Sequence, residues 1–332
     1  MSNHKDMANI TKPTRSAFIN KASTQPNATI MIKSCYDLYF FSSLVEYGNF
    51  LNFSITCQLL YKLKKYLFYK LNKKYSRMYY YCKRTKNMIL ENIFNPQKQL
   101  SLDLSHGLVS INADNLGKVH TLNLQGCSIT DVDLDALIDV YNLNLTKCHK
   151  ITNVSALGKV YILNLSYCIN ITDFSPLRNV NTLNLSDCHQ ITDFSVFGNI
   201  YNLNLSYTKI IDVSALGRVH ILNLSHCHEI INVHALANVK KLNLTFCTGI
   251  TDFSPLRNVH TLILTGCYQY INVSALANVY NLNLSNTKVT DVSALGRVHT
   301  LDLSYCTNII DVSALRNVYS LDISHCYNIT IS

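Results

Sequence analysis

No apolar stretch in the 332-residue chain is long enough to span a bilayer as a helix. The nearest candidate, Leu38 to Leu63, is interrupted by Glu46, Asn49 and Asn52. The first residues, MSNHKDMANITKPTRSAF, lack the apolar core of a secretory leader. They are basic, with Asp6 as the one acid, which leaves a transit peptide open. Charged residues are scarce at 15%, but 48% hydrophobic residues exclude a chain that is disordered throughout. The sequence has twelve cysteines and no C-x-x-C pair. It also has no P-loop, no H-E-x-x-H and no G-x-S-x-G, so the common nucleotide, zinc-peptidase and esterase signatures are missing.

The scarce charge is unevenly placed. Residues 1–99 hold 16 Lys/Arg and 4 Asp/Glu, a balance of +12, while residues 100–332 hold 13 and 16, a balance of −3. Two stretches of different charge character point to two functional parts. Segment 59–86 is the extreme case, with ten Lys/Arg, no acid, and Tyr66, Tyr69, Tyr75 and Tyr79 to Tyr81 interleaved. It reads either as a solvated helical face or as a site for nucleic acid or an anionic membrane surface.

The dominant feature is a repeat. Leu-x-Leu pairs recur every 19 to 21 residues, from Leu102/Leu104 to Leu321/Ile323, in twelve copies. The copy from Val180 reads VNTLNLSDCHQITDFSVFGN, with Val180, Leu183, Leu185, Ile191, Phe194 and Phe197 expected to point inward. Ordering some twenty residues costs more than one such set of side chains returns, so a single repeat needs neighbours to fold. Nine copies carry Cys after the strand, and two carry Thr208 or Thr287 with one residue fewer, which accounts for the 19-residue spacings. The residue in this column must be small and must bond or pack against turn backbone. A column of equivalent cysteines reads as packed thiols in a reducing compartment, and adjacent Cys and His on a strand diverge, so no metal site is implied. Asp173, Asp193, Asp212, Asp252, Asp291 and Asp311 are placed to cap a short helical turn, with Pro176 and Pro255 in its first turn. So few residues precede the next strand that 3₁₀ turns are expected there.

These motifs resemble the cysteine-containing class of leucine-rich repeats, L-x-L-x-x-C-x-x-I-T-D, and the Thr copies, as in TKVTDVSAL (287–295), are similar to internalin repeats. The resemblance implies an α/β right-handed solenoid over residues 99–332, with a parallel sheet on its concave face and 3₁₀ turns on its convex face. Residues 1–27 are expected to be disordered. Residues 28–98 are expected to form a basic helical module, with Leu60, Leu63, Leu67 and Leu71 at helical spacing. The stretch FLNFSITCQLLYKL (50–63) resembles the second half of an F-box, although the Leu-Pro-x-Glu opening is absent. That resemblance implies docking to the acidic adaptor of a cullin ubiquitin ligase. The repeat style and Asn/Lys/Tyr/Ile-rich composition are also similar to repeat proteins of large DNA viruses of amoebae.

Candidate contact residues follow from the columns. Asn or Asp stands between the leucines in eleven copies, a polar ladder read as structural, its amides satisfying one another. Two residues before the first leucine stand His120, Tyr141, Tyr161, Tyr201, His220, His260, Tyr280, His299 and Tyr319. Two residues after the second stand His106, Tyr167, Tyr207, His226, Phe246, Tyr305 and His325. Such side chains suit an interface and equally suit stacking on strand neighbours. The expectation is therefore a non-enzymatic protein that binds a protein partner on the concave face and needs no cofactor. Nucleic acid at 59–86 and a scaffold with no ubiquitin link are the alternatives. Asn-Leu-Ser/Thr sequons along the ladder, as at Asn144 and Asn164, favour an intracellular, cytoplasmic location, since glycans there would crowd the face. For a viral protein this is the host cytoplasm. Repeats that end without a cap are expected to fray or associate end to end.

Overall fold

The computed structural model describes residues 29–32, 68–71, 73–84, 86–87, 100–106, 113, 116–269 and 271–330. The chain divides into two compact units, one ending at Asp103 and one spanning Leu104 to Ser332.

In the first unit, β1 (Thr29–Ile32), β2 (Phe68–Leu71) and β3 (Leu100–Asp103) pair in parallel in that order. Helix α1 (Lys73–Tyr81) follows β2. The sequence spacing predicts helix through Leu71, whereas Phe68–Leu71 is a strand with Leu71 buried. Phe68 and Tyr69 are aromatic residues that favour strand, so the segment pairs readily once strands flank it on both sides. The purely helical reading of 28–98 is thus corrected for β1 and β2. The F-box-like stretch 50–63 lies outside the described residues, as do residues 1–27.

The second unit holds eleven three-residue strands among the described residues, from β4 (Thr121–Asn123) to β14 (Ser320–Asp322). Each pairs in parallel with its sequence neighbours, leucine facing leucine, as Leu203, Leu222 and Leu242 do. The burial alternates intermediate, buried, intermediate along nearly every strand, so the leucines face the core and their neighbours the open side of the sheet. Short 3₁₀ helices return the chain, for example Ser175–Asn179 and Ser214–Arg218. Among the described residues of this unit the one α-helix, α2 (Asp131–Leu134), falls in the 21-residue repeat.

The core follows the repeat. Val180, Leu183, Leu185, Ile191 and Phe197 are buried, and Phe194 is half-buried against Phe197. Each capping aspartate accepts a hydrogen bond from the amide of a Ser two residues on, as Asp173 does from Ser175 at 2.9 Å and Asp212 from Ser214 at 2.8 Å. The carboxylate therefore sits one residue upstream of the position that opens the helix. Asn153 and Asn232 do the same without charge.

The Cys column works across repeats. Cys168 Sγ donates to Leu145 O at 3.1 Å, Cys227 to Leu205 O at 3.2 Å and Cys306 to Leu284 O at 3.0 Å. The Thr copies bond within their own repeat, Thr208 Oγ1 donating to Leu205 O at 2.7 Å and Thr287 Oγ1 to Leu284 O at 2.6 Å. Each of these hydroxyls also meets the thiol of the following repeat, Thr208 with Cys227 Sγ at 3.7 Å and Thr287 with Cys306 Sγ at 3.4 Å. The nine column cysteines are free thiols, eight of them buried.

Candidate functional site: two aromatic columns flanking a polar sheet

Between the columns the sheet face is polar and satisfies itself. Asn144, Asn164 and Asn184 accept from the backbone amides of Thr146, Ser166 and Ser186 at 3.0 Å. The amides were expected to satisfy one another; most instead tie off the end of their own strand. Asn283 is one that also reaches across, donating to Asp302 at 2.7 Å. The residues just before the first leucine, such as Ile162, Ile221 and Lys241, share this face and are half-buried or exposed. Their lack of a common residue type hides them in a column reading.

The upstream column lies where the chain runs into each strand, and its rings are stacked. His120, Tyr141 and Tyr161 form one run, with centroids 4.7 Å apart. Tyr201 and His220 form a second at 4.7 Å. His260, Tyr280, His299 and Tyr319 form a third at 4.4 to 4.8 Å. Asn181 and Lys240 stand at the interruptions. Stacking does not bury the rings: Tyr141 and Tyr161 remain 40% and 44% exposed, and Tyr319 82%. The rings of the column thus stack on their neighbours while their edges are left to solvent.

Asn181 folds toward Thr182, whose hydroxyl donates to it at 3.3 Å. Two strand spacings, about 9.6 Å, separate the rings on either side, enough for one more ring. Asn181→Tyr is accordingly expected to raise stability by about 1–2 kcal/mol through two new stacked pairs. An unchanged urea midpoint would show that the ladder does not extend.

The downstream column has a property that its residue types conceal. Its described side-chain-bearing members, His106, Lys147, Tyr167, Asp187, Tyr207, His226, Phe246, Asn286, Tyr305 and His325, lie at φ between 53° and 61°. Gly126 and Gly266, the remaining two copies, lie at 66°. The left-handed residue turns the chain out of the strand while its N–H still reaches the next repeat, as Tyr167 N donates to Ser186 O at 3.0 Å and Tyr207 N to Ser225 O at 2.9 Å. An L-residue there costs roughly 1–2 kcal/mol that glycine avoids. At Gly126 a side chain would run into the ring of His106, and at Gly266 into that of Phe246. Here too rings associate: Tyr207 with His226 at 4.2 Å, His226 with Phe246 at 4.9 Å and Tyr305 with His325 at 4.3 Å. The Lys147 ammonium stands 5.0 Å over the Tyr167 ring. The left-handed conformation is thus kept at position after position, under side chains as different as Tyr, His, Lys, Asp and Asn.

A third row was missed by reading columns of apolar and aromatic residues. Asn170, Gln190, Gln269 and Asn328 donate side-chain amides to carbonyls of the preceding repeat, Gln190 to Cys168 O at 2.8 Å and Asn328 to Thr307 O at 2.6 Å. Their shared chemistry, an amide side chain two residues after Cys168, Cys188, Cys267 and Cys326, was the available signal.

Burial lowers the pKa of His120, His226 and His260 below the ordinary imidazole value. The unfolded chain thus takes up these protons first as pH falls. Their contribution is fully present above about pH 6.5 and is lost as pH drops through the lower folded-state values. The urea midpoint is expected to fall between pH 7.5 and pH 5.5, less so in a His120→Gln/His260→Gln variant; an equal fall in both would contradict this. Among the described residues no cluster of three or more His, Cys, Asp or Glu is placed to hold a metal ion, and no helix is long and apolar enough to cross a membrane.

The chain is similar to the crystal structure of an internalin (inlF) from Listeria monocytogenes, with 25% identity over 73% of this chain and 80% of that one, and a TM-score of 0.54. The fold is a leucine-rich-repeat solenoid. Two further structures show lower superposition. One is the functional domain of InlJ from Listeria monocytogenes, described as including a cysteine ladder, with 21% identity, 66% and 56% of the two chains and a TM-score of 0.38. The other is a chain of the mouse RP105/MD-1 complex, with 19% identity, 68% and 47% coverage and a TM-score of 0.49. No protein-family model matches the chain, and a search of curated proteins finds no match.

Proposed function

We propose that the solenoid is a non-enzymatic binding module that takes a protein partner across its open sheet face and grips it with the two aromatic columns. The observation that carries this reading is the pair of ring ladders, stacked yet 40–55% exposed at Tyr141, Tyr161, Tyr201, Tyr207 and Tyr305. Stacking holds each ring in place before binding, so little side-chain freedom is lost on contact. Eleven strands at about 4.8 Å give a face on the order of 50 Å long, suited to a folded protein or a long peptide. The buried free thiols fit a reducing compartment and so a cytoplasmic site of action.

The test is capture of a partner by the full chain beside a Tyr141→Ala/Tyr161→Ala/Tyr201→Ala variant with an unchanged circular dichroism spectrum. The variant is expected to lose the partner; equal capture would overturn the reading. The finer assignment, a receptor for a cullin ligase, rests on the resemblance of residues 50–63 to the second half of an F-box, and the +12 charge of residues 1–99 suits an acidic adaptor. It predicts that an acidic cullin adaptor is recovered with the full chain, and it falls if none is.

A further inference from the structure

Charge on the solenoid is segregated by edge. Five residues cover the end of each short helix and the approach to its strand, as in Leu216-Gly217-Arg218-Val219-His220. Across the eleven such segments between residues 116 and 319 there are eight cations and one anion, Asp139. The segments leaving the strands, from the left-handed residue through the capping Asp or its counterpart between 126 and 330, hold nine carboxylates and four lysines. Arg178, Arg218, Arg257 and Arg297 on the upstream edge are exposed, and no ion pair engages them among the described residues. Arg218, Arg257 and Arg297 lie two or three positions before the rings His220, His260 and His299, and Arg178 stands three positions before the interruption at Asn181.

Building on the binding role proposed above, we infer that this upstream edge docks an extended, acidic protein segment running across the repeats. The sign of the edge selects an anionic partner. The opposite, acidic edge lies up to about 20 Å away along six extended residues, beyond a Debye length of about 8 Å, and does not cancel the field. Cations recur every one or two repeats, about 5–10 Å, which brackets the roughly 6.8 Å between like-facing residues of an extended peptide. The rings decide between a peptide and a nucleic acid. Bases bind by stacking on free aromatic faces, but here the faces are taken up by neighbours 4.4 to 4.8 Å away. What remains outward is ring edges and hydroxyls, which donate to carboxylates.

Fluorescence anisotropy on the full chain tests this, with a labelled peptide of alternating Glu and Tyr as probe at about 0.15 M salt. Arg218→Glu/Arg257→Glu/Arg297→Glu is compared with Lys150→Glu/Lys209→Glu/Lys288→Glu, which makes the same change in net charge on the other edge. The first is expected to lose at least tenfold in affinity and the second less than threefold. Equal losses would overturn the assignment to one edge. A uridine oligomer of matched charge that binds more tightly than the peptide would overturn the peptide in favour of nucleic acid. Loss of peptide with the arginine changes, alongside partner capture indifferent to the tyrosine changes, upholds the edge and overturns the role given to the rings.

Discussion

Replacing Leu222 with alanine is expected to destabilise the solenoid by about 3–5 kcal/mol. The side chain is 1% exposed and stacks between Leu203 and Leu242 of the flanking strands. Those neighbours are held at the strand spacing by their own ladders, so they cannot collapse into the space, and the cavity term is added to the lost burial. Each repeat is stable only through its neighbours. The damage should therefore spread to the adjoining repeats and broaden the urea transition as well as lower its midpoint. A change below 1 kcal/mol with the slope unaltered would show that the central repeats are not coupled in this way.

The second large effect concerns the thiols. Burial pushes Cys148 and Cys168 up to about 12, whereas Cys82 on the first unit is exposed. The thiolate is the reacting species. At pH 8 an ordinary cysteine is about a quarter ionised and a group at about 12 is ionised to roughly one part in ten thousand. Iodoacetamide should modify Cys82 at least a thousandfold faster than Cys148 or Cys168, followed peptide by peptide by mass spectrometry. In guanidinium the difference should vanish. Labelling of the column cysteines within tenfold of Cys82 under native conditions would contradict the buried, hydrogen-bonded ladder.

Much of this fold was legible because the repeat states its physics many times. Leucine spacing gave the strands, and the Cys and Thr copies gave the two repeat lengths. The aspartates gave the short turns, although displaced by one residue from the position expected. Other features were hidden because residue identity does not report them. Tyr167, Tyr207 and Phe246 carry none of the glycine signal that marks a left-handed residue; only Gly126 and Gly266 hinted at it. That each thiol bonds the preceding repeat, while Thr donates to its own and meets the thiol of the next, is a geometry that no column pattern reveals. Phe68–Leu71 becomes a strand because strands lie on both sides of it, which is information held elsewhere in the chain. The aromatic columns were visible as columns, but their division into three stacked runs required coordinates.

The left-handed column ties stability to function. Tyr207→Gly/His226→Gly removes backbone strain at two positions together with two ring contacts, Tyr207 with His226 and His226 with Phe246, so stability should stay within about 1 kcal/mol of the parent, while contact area on the downstream side is lost. A loss of several kcal/mol would mean that these rings serve the fold instead.

The most direct test of a partner held by the two columns is hydrogen–deuterium exchange of the full chain with and without that partner. Protection is expected in the segments around Tyr141, Tyr161 and Tyr201 and around Tyr167, Tyr207 and His226, with the 3₁₀ segments Ser195–Phe197 and Ser293–Leu295, which carry no proposed contact residue, unchanged. Protection confined to those 3₁₀ segments, with both columns unaffected, would contradict it.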